Sequence, residues 1–174
     1  DPPGSGYFDP VLRHNGTWSK HKGYCTDVFF DAALEFIEAS RDKPFFAYIP
    51  TNAPHGPFIV ADELWKPFRD MGLDAQTAKV YGMVKNIDDN IGRLLARLKE
   101  LGLDDDTIVV FSSDHGEMFG AQGRRAKNIF YEEAARVPFL ARWPKAIPAG
   151  RVADACLSTV DILPTILSLM GLAV

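Results

Sequence analysis

Two stretches of the chain repeat apolar side chains at three- and four-residue steps, which places them on one face of a helix. The first begins near Thr26 or Asp27, which are plausible caps, and reaches about Ser40 before a proline ends it. The second is longer, and Gly102 is a natural stop after it. We therefore predict two amphipathic helices, with apolar positions Val28, Ala32, Ala33, Phe36 and Ile37 in the first and Val80, Met83, Val84, Ile87, Ile91, Leu94, Leu95 and Leu98 in the second.

Short, continuous apolar runs follow both helices, and such runs are typical of strands buried on both faces. Residues 45–49 read Phe-Phe-Ala-Tyr-Ile, and residues 107–111 read Thr-Ile-Val-Val-Phe. A third run at residues 137–141 contains Pro138, which favours a sheet edge or a strand start. The alternation of helices with buried strands predicts an α/β fold, with a largely parallel or mixed sheet and helices on both faces.

The remaining segments complete the predicted organisation. Residues 1–24 lack a sustained apolar period and are interpreted as a loop-rich lead-in, while residues 25–174 carry the α/β core of one partial domain. Residues 51–73 hold three prolines and are expected to be irregular. A last helix is predicted from about Asp161 through the apolar positions Ile162, Ile166, Leu167 and Met170 to Gly171, and Pro164 fits only within its first turn.

Composition and charge exclude several classes of protein. With 174 residues, of which 47% are hydrophobic, the chain can bury a sizeable core. Its net charge of -4 and scattered cations argue against nucleic-acid binding, and no apolar run approaches the roughly 20 residues of a membrane span. The two cysteines, Cys25 and Cys156, exclude a disulfide scaffold, and two buried free thiols are expected rather than a bridge.

A histidine-bearing loop follows each of the first two predicted strands, at the edge where α/β sheets bind ligands. His55 stands between prolines and a glycine, and a stiff backbone suits a group that donates a proton at a fixed place. Asp114 and His115 pair a carboxylate with an imidazole. A carboxylate suits Ca²⁺ or Mg²⁺, while imidazole also suits zinc. The alternatives are a surface histidine in a turn, and an aspartate that caps the next segment.

Lys127 lies in the segment that follows this second loop. A lysine folded back over the strand end would neutralise an anionic substrate. Arg124 and Arg125 compete for that role, and a solvated run of charges is the alternative interpretation.

Taken together, these segments resemble the formylglycine-dependent sulfatases of the alkaline-phosphatase superfamily. The resemblance extends from about Asp9 to Leu172 and corresponds to the carboxyl-terminal half of the catalytic domain of that family. The matching pieces occur in the family's order: Lys43-Pro44-Phe45-Phe46, Pro54-His55-Gly56-Pro57, Ser113-Asp114-His115-Gly116-Glu117, Lys127, Val137-Pro138-Phe139 and Asp161-Ile162-Leu163-Pro164-Thr165.

The resemblance implies a role for each candidate residue. Asp114 and His115 are similar to two ligands of a divalent cation, usually Ca²⁺, with Mg²⁺ or another divalent ion as alternatives; many relatives have Asn in place of His115. His55 and Lys127 match residues that contact the sulfate group, and His55 is also a candidate acid for the leaving oxygen. The implied partner is a sulfate-ester small molecule or carbohydrate, and the implied compartment is periplasmic, extracellular or lysosomal.

The nucleophile of the resembled family has no counterpart in the sequence. That nucleophile is a formylglycine made in a Cys/Ser-x-Pro/Ala-x-Arg motif, and neither Cys25 nor Cys156 stands in such a motif. We therefore expect a fragment that is inactive on its own and binds calcium weakly. Exposed apolar surface would favour its self-association.

Two rival functions stay open at this point. A two-metal phosphatase or phosphodiesterase of the same superfamily also uses an Asp-His pair, but Thr51 stands where its additional aspartate is expected and no histidine follows His115. A non-catalytic module that keeps the sulfatase architecture is the alternative from a different class.

Overall fold

The computed structural model describes residues 6–173, which contain helices and short strands grouped in two compact units. The first unit ends at Asp104 and the second begins at Asp105. The first contains strands β1 (Val11–His14) and β2 (Thr17–Lys20) and helices α1 (Cys25–Ala39), α2 (Asp62–Asp70) and α3 (Ala75–Glu100). The second contains β3 (Val109–Ser112), a 3-10 turn (Ala121–Gly123), α4 (Glu132–Ala135), β4 (Phe139–Arg142), a second 3-10 turn (Thr159–Asp161) and α5 (Ile162–Leu169).

The lead-in that the sequence predicts as loop or extended chain contains an antiparallel hairpin. Strands β1 and β2 pair from Val11 with Lys20 to His14 with Thr17. The two residues between them, Asn15 and Gly16, both have positive φ angles, of 48° and 87°. An Asn-Gly pair suits this turn because both positions need left-handed backbone. Residues 1–5 of the predicted lead-in lie outside the described part of the chain.

Helices α1 and α3 confirm the two predicted amphipathic helices. The side chain of Asp74 caps α3 by accepting hydrogen bonds from the backbone of Gln76 and Thr77. At the other end, Gly102 has a φ of 69°, and the Leu103 N–H returns to the Leu98 carbonyl at 2.8 Å. Gly102 therefore stops the helix as predicted, through a left-handed residue that a side chain would strain.

A polar contact sets the register between α1 and α3. One oxygen of Asp27 accepts hydrogen bonds from the amides of Asn86, at 2.8 Å, and Asn90, at 2.7 Å. Both asparagines are buried, so this carboxylate satisfies donors that would otherwise be costly. The Arg93 guanidinium extends the contact by donating to Asp31 at 2.5 Å.

Helix α2 corrects the prediction that residues 51–73 are irregular throughout. Residues 51–61 are irregular, but Asp62–Asp70 form a helix despite Pro67 in its interior. Two acidic residues in its first turn favour helix formation there. The helix also packs on α3, where a Cβ added to Gly82 would lie 2.8 Å from the Cβ of Trp65. Packing thus overrides the breaking tendency of the proline.

The strand predicted at residues 45–49 has no hydrogen-bonded partner strand in the part of the chain that the structure describes, so that prediction is wrong here. Exposure nevertheless alternates along the segment. Phe46 and Tyr48 are 77% and 78% exposed, while their neighbours are half-buried. The Phe45 ring meets Phe36 of α1 edge-on, with 6.4 Å between centroids. The segment therefore has one packed and one exposed face. This is the side-chain pattern of a β-strand, although the segment lacks hydrogen bonds to a neighbouring strand.

In the second unit, β3, β4 and α5 confirm the remaining predicted elements. Strands β3 and β4 pair antiparallel, from Val109 with Arg142 to Ser112 with Phe139. Pro138 stands directly before β4, where its missing N–H removes no ladder bond. Both ladders within residues 6–173 are antiparallel, so the parallel pairing expected for the sheet has no example there.

Two further sequence predictions concern the thiols and the membrane. Cys25 is free and buried, as expected, but Cys156 is free and exposed, which corrects the prediction of two buried thiols. The reason is local, because every residue from 151 to 160 is exposed. Within residues 6–173, each helix is too short or too polar to cross a bilayer.

Candidate functional site

His55 lies in an irregular loop of the first unit and is exposed. Its backbone N–H donates to the Asn52 carbonyl at 2.9 Å, which closes a turn over the buried Ala53. The ring nitrogen Nδ1 lies 2.8 Å from the Gly56 carbonyl oxygen. Because a carbonyl only accepts, Nδ1 carries the proton of this bond. The other nitrogen, Nε2, has no protein partner among the described residues and is the one that a ligand would meet.

Asp114 and His115 follow β3 and contact each other. The Asp114 carboxylate accepts from the His115 backbone N–H at 3.0 Å, and its other oxygen lies 3.3 Å from His115 Nε2. The Asp114 side chain is 82% exposed and that of His115 is 36% exposed. The His115 ring donates from Nδ1 to the Gly116 carbonyl at 2.8 Å, so Nε2 faces the carboxylate.

This geometry fits part of a cation site. A histidine that binds a metal usually donates its other N–H to a carbonyl or carboxylate, as His115 does to Gly116. The Asp114 carboxylate presents an oxygen atom next to the free side of this ring, 3.3 Å from Nε2. Two residues do not fill a coordination shell, because Ca²⁺ takes about six to eight ligands and zinc about four. No group of three or more metal-binding side chains occurs within residues 6–173. A complete site therefore needs further ligands.

Gly116 allows this loop to pass close to the start of α4. Its N–H donates to the Ala134 carbonyl at 2.8 Å, and a Cβ added at Gly116 would lie 1.9 Å from the Glu133 carbonyl oxygen. That distance is too short for any side chain. The clashing atom belongs to the backbone, so it cannot rotate away as a side chain could. Only glycine therefore permits the observed path of the chain next to Asp114 and His115.

We predict that Gly116→Ala destabilises the second unit by about 1–3 kcal/mol, the usual cost of overpacking. The backbone of residues 114–116 or of α4 has to move to admit the new methyl group. Gly92→Ala is the control, because nothing lies within 4 Å of its added Cβ and it is on a regular helix. Thermal unfolding of both variants in the full-length protein measures the difference. Equal unfolding midpoints for Gly116→Ala and wild type would contradict the close approach.

Glu117 closes the loop that carries Lys127. One of its carboxylate oxygens accepts from the backbone N–H of Ala126, in a close hydrogen bond, and from that of Phe119 at 3.3 Å. The buried Met118 adds a second connection, since its N–H donates to the Ala126 carbonyl at 3.1 Å. The carboxylate thus replaces a backbone acceptor and fixes the residue directly before Lys127.

The backbone around Lys127 is unusual on both sides. Ala126 and Asn128 have positive φ angles of 66° and 70°, which L-residues rarely adopt. Lys127 is half-buried, whereas Arg124 and Arg125 are exposed. Lys127 is therefore the least exposed of the three cations.

We predict that Glu117→Ala speeds amide exchange of residues 118–127 by about tenfold or more, because each lost hydrogen bond removes roughly 1 kcal/mol of protection. Glu117→Gln keeps one acceptor oxygen, so its exchange rate should lie between those of wild type and Glu117→Ala. The control is Glu132→Ala, whose carboxylate is exposed and forms a long ion pair with Arg136, at 3.8 Å. Hydrogen exchange read by mass spectrometry tests this. Unchanged exchange in Glu117→Ala would show that the carboxylate does not hold the loop.

The structure therefore brings Asp114 and His115 together and links Lys127 to the same segment through Glu117. His55 belongs to the unit that ends at Asp104, and the other three candidates belong to the second unit. Sequence reasoning included Glu117 only as part of a motif and missed its contact with Ala126.

Comparison with known proteins decides the family. A family model described as Sulfatase matches residues 1–172, which is nearly the whole chain. The chain belongs to the sulfatase family. This match confirms the resemblance to sulfatases that the ordered sequence motifs indicate.

Curated sulfatases are similar to this sulfatase chain over most of its length. The N-acetylglucosamine-6-O-sulfatase of Bacteroides thetaiotaomicron is 44% identical across 97% of the chain, which spans 47% of that relative. The endo-4-O-sulfatase of the same organism is 37% identical across 75% of the chain and 29% of its own length. The chain thus spans less than half the length of these relatives.

Solved structures confirm the fold class. Ps i-CgsB in complex with k-i-k-neocarrahexaose superposes with a TM-score of 0.81 at 33% identity, over 94% of this sulfatase chain and 38% of that chain. A structure in complex with its substrate D-glucosamine-2-N,6-O-disulfate gives a TM-score of 0.87 over 97% of this chain and 53% of that one. Its identity is 24%, so it supports the fold alone. The chain therefore has part of the α/β sulfatase fold.

Proposed function

We propose that the protein containing this chain hydrolyses sulfate esters of carbohydrates with the help of a divalent cation. The observation that carries the proposal is the contact of Asp114 with His115, whose oxygen and Nε2 atoms lie 3.3 Å apart directly after β3. Two cation ligands in that position suit a site for an anionic group, since ligands of α/β proteins gather at strand ends. Family membership supplies the reaction class.

A carbohydrate is the proposed substrate class because several similar proteins are named for sugar sulfates. The relatives include an N-acetylglucosamine-6-O-sulfatase and an N-acetylgalactosamine-6-sulfatase. One similar structure was determined with k-i-k-neocarrahexaose. These names describe those proteins, and they support a sulfated sugar here without selecting one.

The proposed cation is Ca²⁺, with Mg²⁺ as the alternative. Asp114 supplies the hard oxygen ligand that both ions prefer, and His115 adds Nε2 when its ring is neutral. When bound, the cation would offset negative charge on the sulfuryl oxygens. The role proposed for the two residues is to hold and orient the ion. The Nδ1 bond of His115 to the Gly116 carbonyl serves that role by fixing the ring.

Lys127 and His55 are proposed to act on the ester itself. The ammonium group of Lys127 would bind the sulfuryl oxygens and stabilise charge that grows during cleavage. The His55 ring, when protonated, has Nε2–H as its unengaged donor, because Nδ1 is bonded to the Gly56 carbonyl. That proton would pass to the leaving oxygen. No Cys/Ser-x-Pro/Ala-x-Arg motif occurs within the 174 residues, so no residue of this chain is assigned as the nucleophile.

Substrate comparison with the full-length protein tests the proposal. Sulfate monoesters, phosphate monoesters and phosphate diesters with the same leaving group are assayed before and after chelation and with Ca²⁺ or Mg²⁺ restored. We expect the highest kcat/KM for the sulfate ester, and its loss on chelation. A preference for phosphate esters would support the two-metal rival. Binding of a sulfated sugar without any turnover would support the non-catalytic module.

A further inference from the structure

We propose that Tyr7 is a positioning residue for His55, because its hydroxyl group fastens the backbone from which the imidazole acts on the leaving oxygen. This inference rests on the acid role proposed above for His55. Tyr7 lies outside the motifs that indicate the family and is 48 residues away from His55 in sequence. Its role is therefore visible only in the folded chain.

The Tyr7 hydroxyl joins both ends of the turn that presents the imidazole. It donates to the His55 carbonyl oxygen in a close hydrogen bond, and the Asn52 carbonyl lies 3.3 Å from the same hydroxyl. The turn is also closed from within, by the His55 N–H to the Asn52 carbonyl at 2.9 Å. One side-chain group thus holds the first and last residues of the turn at a set separation.

Tyr7 is itself held firmly by the core of the first unit. It is 5% exposed, and its ring stacks on Tyr24 with 5.7 Å between centroids and 18° between planes. Its carbonyl oxygen accepts from the Cys25 N–H at 2.8 Å, at the first residue of α1. The Tyr7 hydroxyl is therefore anchored to helix α1 rather than to another loop.

A second buried group forms a hydrogen bond to the same turn. The Cys25 thiol donates to the side-chain oxygen of Asn52 at 3.2 Å. Burial raises the pKa of this thiol above its usual range, so it remains a neutral donor near neutral pH. Burial likewise raises the pKa of Tyr7 to about 12, with a smaller contribution from Cys25. Both groups therefore remain protonated donors over the pH range in which an enzyme of this class would be assayed.

Backbone position matters here because the His55 ring is oriented by its own backbone. The Nδ1 bond goes to the carbonyl of the next residue, Gly56, and the ring is otherwise exposed. Any drift of residues 52–56 therefore moves Nε2 with it. A displacement of about 1 Å at a reacting group costs on the order of 100-fold in rate. A hydroxyl that prevents such drift acts on catalysis without touching the substrate.

The test uses the dependence of rate on the leaving group, which a purely structural role would not change. An alkoxide leaving group, as in a sugar sulfate, needs a proton, whereas an activated aryl oxide with electron-withdrawing substituents does not. In the full-length protein, we expect Tyr7→Phe to lower kcat for the sugar sulfate by about tenfold or more, with little change for the aryl sulfate. The phenylalanine keeps the stacked ring, so the core remains filled.

Tyr24→Phe is the matched control. Tyr24 is also buried, and its hydroxyl donates to a backbone carbonyl, that of Ile59 at 3.0 Å, outside the Asn52–His55 turn. We expect both variants to show similar falls in thermal unfolding midpoint. Only Tyr7→Phe should selectively lose activity on the sugar sulfate, and only Tyr7→Phe should speed amide exchange at residues 52–56.

His55→Ala separates the two levels of the proposal. If His55→Ala selectively loses activity on the sugar sulfate and Tyr7→Phe does not, the positioning role is wrong and the acid role stands. If His55→Ala lowers kcat equally for the sugar sulfate and the aryl sulfate, the acid role is wrong, and the inference about Tyr7 fails with it. Equal leaving-group effects in Tyr7→Phe and Tyr24→Phe would also overturn the assignment, because the loss would then follow general loosening of the core.

Discussion

Lys127→Ala is expected to lower kcat/KM for sulfate esters by about 10²–10³-fold in the full-length protein, the usual cost of removing one preorganised electrostatic donor from a transition state. The loss should appear mainly in kcat, since charge on the sulfuryl oxygens grows during cleavage. Steady-state kinetics with a sulfate monoester measures this effect. Lys127→Arg keeps the charge but not the shape of the ammonium, so only partial activity is expected.

The control for this prediction is Arg124→Ala, which removes the same charge from the same segment at an exposed position. Long-range attraction of an anionic substrate weakens with salt and acts about equally through either cation. The two variants are therefore compared at low and at moderate ionic strength. Similar losses for both variants would contradict a specific role for Lys127 and favour general steering.

Asp114→Asn is expected to weaken binding of the divalent cation by more than about 100-fold, because loss of a ligand should exceed the 10–100-fold typical of losing a supporting contact. The amide keeps the size of the carboxylate but removes its charge. Calorimetric titration of the full-length protein with Ca²⁺ measures the affinity directly, and activity measured against Ca²⁺ concentration should shift in parallel. His115→Asn should cost less, because the resemblance places asparagine at this position in many relatives.

Asp154→Asn serves as the control for the cation prediction. Asp154 is an exposed carboxylate in the same unit and outside the candidate site. Its loss removes the same charge and should leave Ca²⁺ affinity unchanged. An unchanged affinity in Asp114→Asn, or an equal loss in both variants, would exclude Asp114 as a ligand.

Local patterns in the sequence predict three of the helices and fail where structure depends on distant partners. Helices α1, α3 and α5 follow from apolar periodicity and their stop signals, which act within a few residues. Helix α2 is not predicted because Pro67 is a local signal against a helix, whereas the packing of Trp65 against Gly82, 17 residues away, exists only in the folded chain. The extended segment at residues 45–49 has the expected side-chain pattern, but a ladder requires a second strand that the pattern cannot specify.

The β1–β2 hairpin is a different kind of omission. Asn15 and Gly16 form a strong local signal for a two-residue turn, and the flanking strands are only four residues each. The polar character of the lead-in concealed that signal.

The candidate site shows the same division between local and distant information. His55, Asp114 and His115 stand out because they directly follow apolar runs, and that position is readable from the sequence. The supporting contacts of Glu117 and Tyr7 are not readable, because each reaches a backbone group brought near by folding. Motifs thus identify groups suited to chemistry, and the structure identifies the groups that hold them in place.

A crystal structure of the full-length protein with its cation and a sulfated ligand would show directly which side chains bind the ion and the sulfate group. We expect an Asp114 oxygen about 2.3–2.6 Å from the cation. We also expect His55 Nε2 and Lys127 Nζ each within about 3.2 Å of the sulfate ester group. A structure in which these three side chains face separate regions of solvent, with the sulfate group bound by other residues, would contradict this expectation.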